Sequence, residues 1–333
     1  YFELKQDDQA AQQYQNGLQI SPRRADGFDR LAEMDMRAGR RADATQKWRQ
    51  ALGLLAARVE EGPLPASYWE TANTVLAHSN VNGLTAALRP DIDAMLRAYI
   101  KRNGAYNFTF FETGLLQDAP DRTAVLHWLI DLSRLPTAAN ILEELLSLPD
   151  LQDADRDVIY RARIDRAKTT AAEAAGAEAD SARDQLRNIL IDYAHFLDGR
   201  DQSSLAWQTI VSIEPDDQRP KDSLLLYSAL SGHLDELLKQ YKARPEMAPA
   251  GETVLSAAAT LKTRGHTDLA EALQEWEYTR ELAAGSVDAS TYLGLARLRL
   301  EQKRDAEALQ LIRNVTLSIG APFEHLGEAI TVL

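Results

Sequence analysis

Histidines and carboxylates are the residues able to carry acid–base or metal chemistry in this 333-residue chain. Cysteine is absent, and with it thiolate nucleophiles, disulfides and Cys-based zinc or iron–sulfur sites. The six histidines, His78, His127, His195, His233, His266 and His325, stand singly. None has a second imidazole three or four residues away, the spacing that would put two ligands on one helical face. Each therefore reads as a surface or turn residue. The neighbouring carboxylates Glu60-Glu61, Glu143-Glu144 and Asp216-Asp217 diverge on a helix and read as solvated, not as acid–base pairs. The sequence has no Gly-rich phosphate loop, nucleophile elbow, zincin helix or Ca-binding loop. The expectation is a non-catalytic protein, with no cofactor and no metal.

Charge narrows the partner. Fifty acidic residues against 37 basic ones give a formal charge of −13, which opposes the positive face that a phosphate backbone requires. Nucleic acid is not expected. No apolar run reaches the length that spans a bilayer, so no transmembrane segment is expected either. With 45% hydrophobic and 26% charged residues, the chain can bury a large core. Its 28 Arg against 9 Lys suggest a GC-rich bacterial source. The start at Tyr1, without Met or a signal-peptide pattern, points to a fragment. The missing cysteines and that start make an exported or cell-envelope location one expectation, with the cytoplasm the alternative. Asn107-Phe108-Thr109 and Asn314-Val315-Thr316 match a glycosylation sequon, but Val315 falls at a packing position and the source reads as bacterial.

The elements that must position any site repeat along the chain. Residues 25–58 place Phe28, Leu31 and Ala32 on one helical face, Gly39 at a turn, then Ala44, Trp48 and Ala51 on a second helix. Tyr1, Ala10, Tyr14, Gly17 and Pro22 follow the second half of that pattern. Tyr292, Leu295, Ala296, Ala308, Ile312 and Val315 repeat it, and Phe323, Leu326, Ala329 and Ile330 begin another copy. Weaker copies are Leu190, Tyr193, Ala194, Leu197, Ala206, Ile210 and Ile213, then Val254, Ala257, Ala258, Leu261, Gly265 and Ala270.

This pattern resembles the tetratricopeptide repeat over roughly half of the chain. The resemblance implies an all-α, right-handed superhelical solenoid of antiparallel helix pairs, irregular in the middle. Both ends cut a repeat, so the parent chain is expected to continue. The segments expected are 1–62, repeats with the first truncated; 63–150, degenerate helical hairpins; 151–186, a long charged helix and Ala-rich turn; and 187–333, repeats with the last truncated. In 63–150 the prolines and periodicity predict helices over 67–79, 91–102, 108–117, 121–133 and 137–147. The aromatic run Tyr106–Phe111, flanked by Trp69 and Trp128, could anchor a partner. Core filling is the more ordinary fate of large aromatics.

Helix pairs of this kind cannot bury their apolar stripes alone and must stack on neighbours. The stacking leaves an inner face made by the first helix of each pair. That face carries Asp26, Asp29, Glu33 and Arg37, then Asn188, His195 and Asp198, then Glu252 and Lys262, then Ser290, Arg297 and Glu301. As a groove for a protein or peptide partner, its acidic start favours a basic or amine-bearing ligand. The bland alternative is a solvated helix face. On the groove reading, substitution of Asp26, Asp29 and Glu33 by Ala is expected to abolish partner capture without lowering thermal stability. The resemblance implies a non-catalytic interaction scaffold. Alternatives are a structural or self-assembling subunit associating through its repeat ends, or a regulatory array attached to a catalytic domain outside this segment.

Overall fold

A computed structural model describes residues 7–103, 115–116, 122–135, 137–138, 140–148, 151–214, 218–285 and 288–317. Among these are sixteen α-helices and no strand. The chain divides into two compact units, 1–173 and 174–333. The boundary falls within 151–186, the segment read from the sequence as a long charged helix and Ala-rich turn. There the helix breaks at Gly176, whose φ of +61° suits glycine.

The first unit holds α1 (Asp7–Ile20), α2 (Ala25–Arg37), α3 (Arg41–Glu61), α4 (Ala66–Val81), α5 (Thr85–Asn103), α6 (Arg122–Leu132), α7 (Ile141–Leu146) and α8 (Asp153–Glu173). In the second unit are α9 (Ala177–Asp198), α10 (Ser203–Val211), α11 (Lys221–Leu230), α12 (Leu234–Ala243), α13 (Gly251–Thr263), α14 (Thr267–Ala283), α15 (Ala289–Glu301) and α16 (Asp305–Leu317).

One turn recurs. Between α2 and α3, Gly39 adopts φ +76°, and Arg40 N–H returns to Asp35 C=O at 2.7 Å. This six-residue closure satisfies a carbonyl left open at the helix end and reverses the chain within a few residues. The same bond runs from Leu84 to Ser79, Gln202 to Leu197, His233 to Ser228, His266 to Leu261 and Arg304 to Arg299. It joins α4 to α5, α9 to α10, α11 to α12, α13 to α14 and α15 to α16. Asp201 and Lys303 hold the left-handed position in two of these turns, with φ of 57° and 59°, a conformation that costs a non-glycine residue about 1 kcal/mol. Recurrent helix pairs packed on their neighbours are compatible with a helical repeat fold.

Most of the packing positions read from the sequence are buried, while Tyr14, Phe28 and Tyr292 are half-buried at the edges of their clusters. Ala32, Ala44, Trp48 and Ala51 are each 0% exposed, which lets α2 and α3 approach closely while the indole fills the space between them. Ala44→Leu should therefore overpack this contact and lower stability by about 1–3 kcal/mol in urea denaturation. In the second unit Tyr193, Ala194, Leu197, Ala206 and Ile210 are buried, as are Val254, Ala258, Leu261 and Ala270. So are Leu295, Ala296, Ala308, Ile312 and Val315. Gly294 on α15 has a different role. A Cβ there would stand 2.5 Å from Cζ of Tyr278 on α14, so Gly294→Ala must displace the ring. Its clash outweighs the helix-propensity gain, and the expected net loss is about 1–2 kcal/mol, read as a lower thermal midpoint.

Helix bounds in the middle differ from the sequence reading at two places. α5 begins at Thr85, not Asp91, and carries Pro90 inside it. As the sixth residue Pro90 lies past the first turn, so it leaves the Ala86 carbonyl without its helical bond, a cost that the packing of the segment must offset. The stripe Leu84, Leu88 and Ile92, each 3% exposed or less, keeps the segment on the core. α7 is limited to Ile141–Leu146, shorter than the predicted 137–147. The predicted helix over 108–117 and the run Tyr106–Phe111 lie outside the described residues, apart from 115–116, as do Asn107 and the copy begun at Phe323. Trp69 and Trp128 pack inward, donating to Tyr99 Oη at 3.1 Å and Asp93 Oδ1 at 2.9 Å. Among the described residues no helix is long and apolar enough to cross a membrane.

Candidate functional site

The residues expected on an inner face fall into separate sets in the two units. In the first, Asp29 and Glu33 sit one turn apart on α2, which places both carboxylates on the side facing α4. Asp29 is 1% exposed and both its oxygens are engaged. Trp48 Nε1–H donates to Oδ1 at 2.8 Å, and His78 Nδ1 on α4 contacts Oδ2 at 2.8 Å. The second ring nitrogen of His78 stands 3.5 Å from Glu33 Oε1, while Glu33 Oε2 accepts from Arg30 at 2.8 Å.

His78 is therefore no isolated surface residue. The hydrogen bond to Asp29 raises its pKa above the ordinary imidazole value against the opposing effect of burial, and the charges of Asp29 and Glu33 add to the rise. A raised folded-state pKa means that the stabilisation is fully present below the unfolded-state pKa of about 6.5 and is lost as pH rises through the folded value. The unfolding free energy measured across pH 6–9 should fall with increasing pH, by at most about 1 kcal/mol because the ring is partly exposed. His78→Gln should flatten that part of the profile.

Asp29, Glu33 and His78 could each offer a ligand atom within 4.8 Å of the others. Their protein partners already use them, however: the indole and imidazole occupy Asp29, and Arg30 holds Glu33. The arrangement is a charge network that ties α2, α3 and α4 together. Of the other predicted residues in this unit, Asp26 is half-buried and forked by Arg24 at Oδ1 (3.1 Å) and Oδ2. Arg37 pairs with Asp7 at 2.8 Å.

In the second unit the contacts again run between first helices of pairs. Asp198, at the end of α9, is 8% exposed in its side chain and accepts both arms of Arg264, which caps α13, at 2.9 and 2.8 Å. Such a fork fixes two planar groups together. His195 Nε2 lies 3.4 Å from Ser223 Oγ on α11, and its ring meets buried Tyr227 edge-on at 6.4 Å. Burial and the nearby Asp198 hold the Tyr227 phenol far above its usual pKa, so it stays neutral. Lys262 on α13 reaches Glu301 on α15 at 3.7 Å. Ser290 donates its N–H and hydroxyl to Asp288, the cap of α15. Asn188, Glu252 and Arg297 are exposed.

The structure thus brings Asp29 to Glu33, and Lys262 to Glu301. It also supplies partners that sequence spacing does not reveal: Trp48, His78, Ser223, Tyr227 and Arg264. All lie between 19 and 66 residues from the group they touch, or on another helix. A buried Tyr or Trp with a polar handle, beside a lone carboxylate on the inner face, is the signal that could have pointed to them. No protein-family model matches the chain, and no curated protein matches it.

Proposed function

We propose that the chain is a tetratricopeptide-like helical repeat protein. In this reading each unit stacks its helix pairs into a right-handed superhelical coil, and the first helices line a concave groove that captures a protein or peptide partner without catalysis. The observation that carries the reading is that polar inner-face side chains touch across successive first helices: Asp29 to His78 between α2 and α4, His195 to Ser223 between α9 and α11, and Lys262 to Glu301 between α13 and α15. Contacts of this kind are what first helices lying side by side would make, and they support the reading. The repeated glycine-type turn supports the same arrangement.

The net charge of −13 favours a basic segment. Selection of a basic peptide library on the immobilised full chain tests this. Glu33→Gln combined with Asp26→Asn should weaken the selected peptides about tenfold or more, with the thermal midpoint held within about 2 °C. Peptides that bind this variant as tightly as the parent would remove the first-unit groove from consideration.

A further inference from the structure

One contact in the network between α2 and α4 is both open to solvent and incomplete. Asp29 is buried and both its oxygens are bonded. The side chains of Glu33 and His78 are 21% and 26% exposed, so a partner can reach them, and they meet only at 3.5 Å, too far for a good hydrogen bond. Glu33 Oε2 accepts from Arg30 on its own helix, which leaves Oε1 turned towards α4. Asp29 settles where the proton of His78 titrates. Its Oδ2 accepts from Nδ1–H at 2.8 Å, so the proton gained and lost is the one on Nε2, between the ring and Glu33. With that proton present, the charges of Asp29, Glu33, Arg30 and His78 cancel. Without it, one negative charge remains and the Nε2 lone pair faces Glu33 Oε1, an acceptor against an acceptor. The charges acting most on the ring are Asp29, Glu33 and Arg30, all on α2. On α3, the neutral indole of Trp48 faces the same carboxylate, and Arg41 is held by Gly83 C=O past the end of α4 at 2.9 Å.

We propose that Glu33 Oε1 receives a Lys or Arg side chain of the partner, and that this cation takes the place of the Nε2 proton of His78, so that binding expels the proton. The proposal rests on the groove reading and names the contact and its regulation. An ammonium or guanidinium can donate to Oε1 at full hydrogen-bond distance, which Nε2 does not reach here. A second cation beside Glu33 disfavours the imidazolium, and the buried bond to Asp29 keeps the neutral ring in place once the proton has gone. The pKa of His78 stands above the ordinary imidazole value, so the proton is there to be expelled near neutral pH. Linkage then fixes the sign: affinity for a basic segment rises as pH rises through the folded-state pKa of His78, the range over which the same proton's contribution to stability is lost.

The test uses the full chain and a Lys- and Arg-containing peptide from the basic-library selection, acetylated, amidated and free of other titratable residues, so that its charge is constant from pH 6 to pH 9. Calorimetry should show affinity rising about five- to tenfold over that range, with proton release at pH 7 read from the difference between heats in phosphate and Tris. In the NMR titration of histidine-labelled protein, saturating peptide should lower the His78 midpoint by up to about one pH unit, the linked counterpart of a tenfold change in affinity. His78→Gln should bind with an affinity independent of pH. Glu33→Gln keeps the ring and provides a second variant: it should bind more weakly, and peptide should leave its His78 midpoint unmoved. Affinity that is flat or falls with rising pH, an unmoved His78 midpoint in the parent, or a pH slope retained in His78→Gln overturns the exchange and leaves the groove standing. A library that yields no basic binder at any pH removes the groove and the exchange together.

Discussion

Trp48→Ala should lower the stability of the α2–α5 region by about 3–5 kcal/mol, the largest effect expected of any single substitution in the first unit. Two causes act together. The indole is 0% exposed and sits among Ala32, Ala44 and Ala51, small residues that cannot close over the space it leaves. The cavity term is therefore retained almost in full. Truncation also strips the donor from Asp29 Oδ1, leaving a buried carboxylate oxygen short of a bond. Trp48→Phe separates these contributions: it preserves most of the apolar volume and loses only the N–H, so about 1–2 kcal/mol is expected. Urea denaturation of both variants, with hydrogen exchange read on peptides from residues 25–103, measures the difference. Equal losses for Phe and Ala would mean that packing contributes little and the indole bond nearly everything.

Asp29→Ala should cost about 2–4 kcal/mol. The sequence alone treats Asp29 as a groove residue replaceable without loss of stability. Burial of its carboxylate against Trp48 and His78 reverses that expectation. Removing one member of a buried charge network leaves the others uncompensated, which is worse than never having built it. The loss stays below the top of the usual range because His78 is partly exposed and can shed its proton. Asp29→Asn keeps an acceptor for the indole but not the charge. It should cost about 1 kcal/mol and remove the pH dependence assigned to His78. Denaturation at pH 6 and pH 8 distinguishes these outcomes, and a neutral Asp29→Ala would sink the account of the network.

How far the fold could be read in advance follows from the kind of signal each element leaves. Helix pairs such as α2 with α3 carry a local signature: an apolar stripe, small residues at the close approach and Gly39 at the reversal. The turns at Asp201 and Lys303 carry none, because only tertiary context holds a non-glycine residue in the left-handed region. α5 starts before the position its sequence suggests, because Pro90 reads as a breaker whereas buried Leu84 and Leu88 decide where the segment packs.

The site was less legible than the fold. An acidic residue on a helix reads as solvated, and nothing local to Asp29 announces an indole 19 residues and an imidazole 49 residues away. The same holds for Asp198 and Arg264, which join only when α9 and α13 are brought to one side. Tyr241 shows the limit most clearly: its position in α12 is that of an ordinary core residue, and only the surrounding structure reveals that its hydroxyl lacks a partner.

The claim that first helices form the recognition face meets its most direct test in hydrogen exchange of the full chain with and without a selected basic peptide. Slower exchange in α2 and α4, with α3 and α5 unchanged, is the predicted footprint. Protection confined to α3 and α5, or spread equally over both members of each pair, would contradict it.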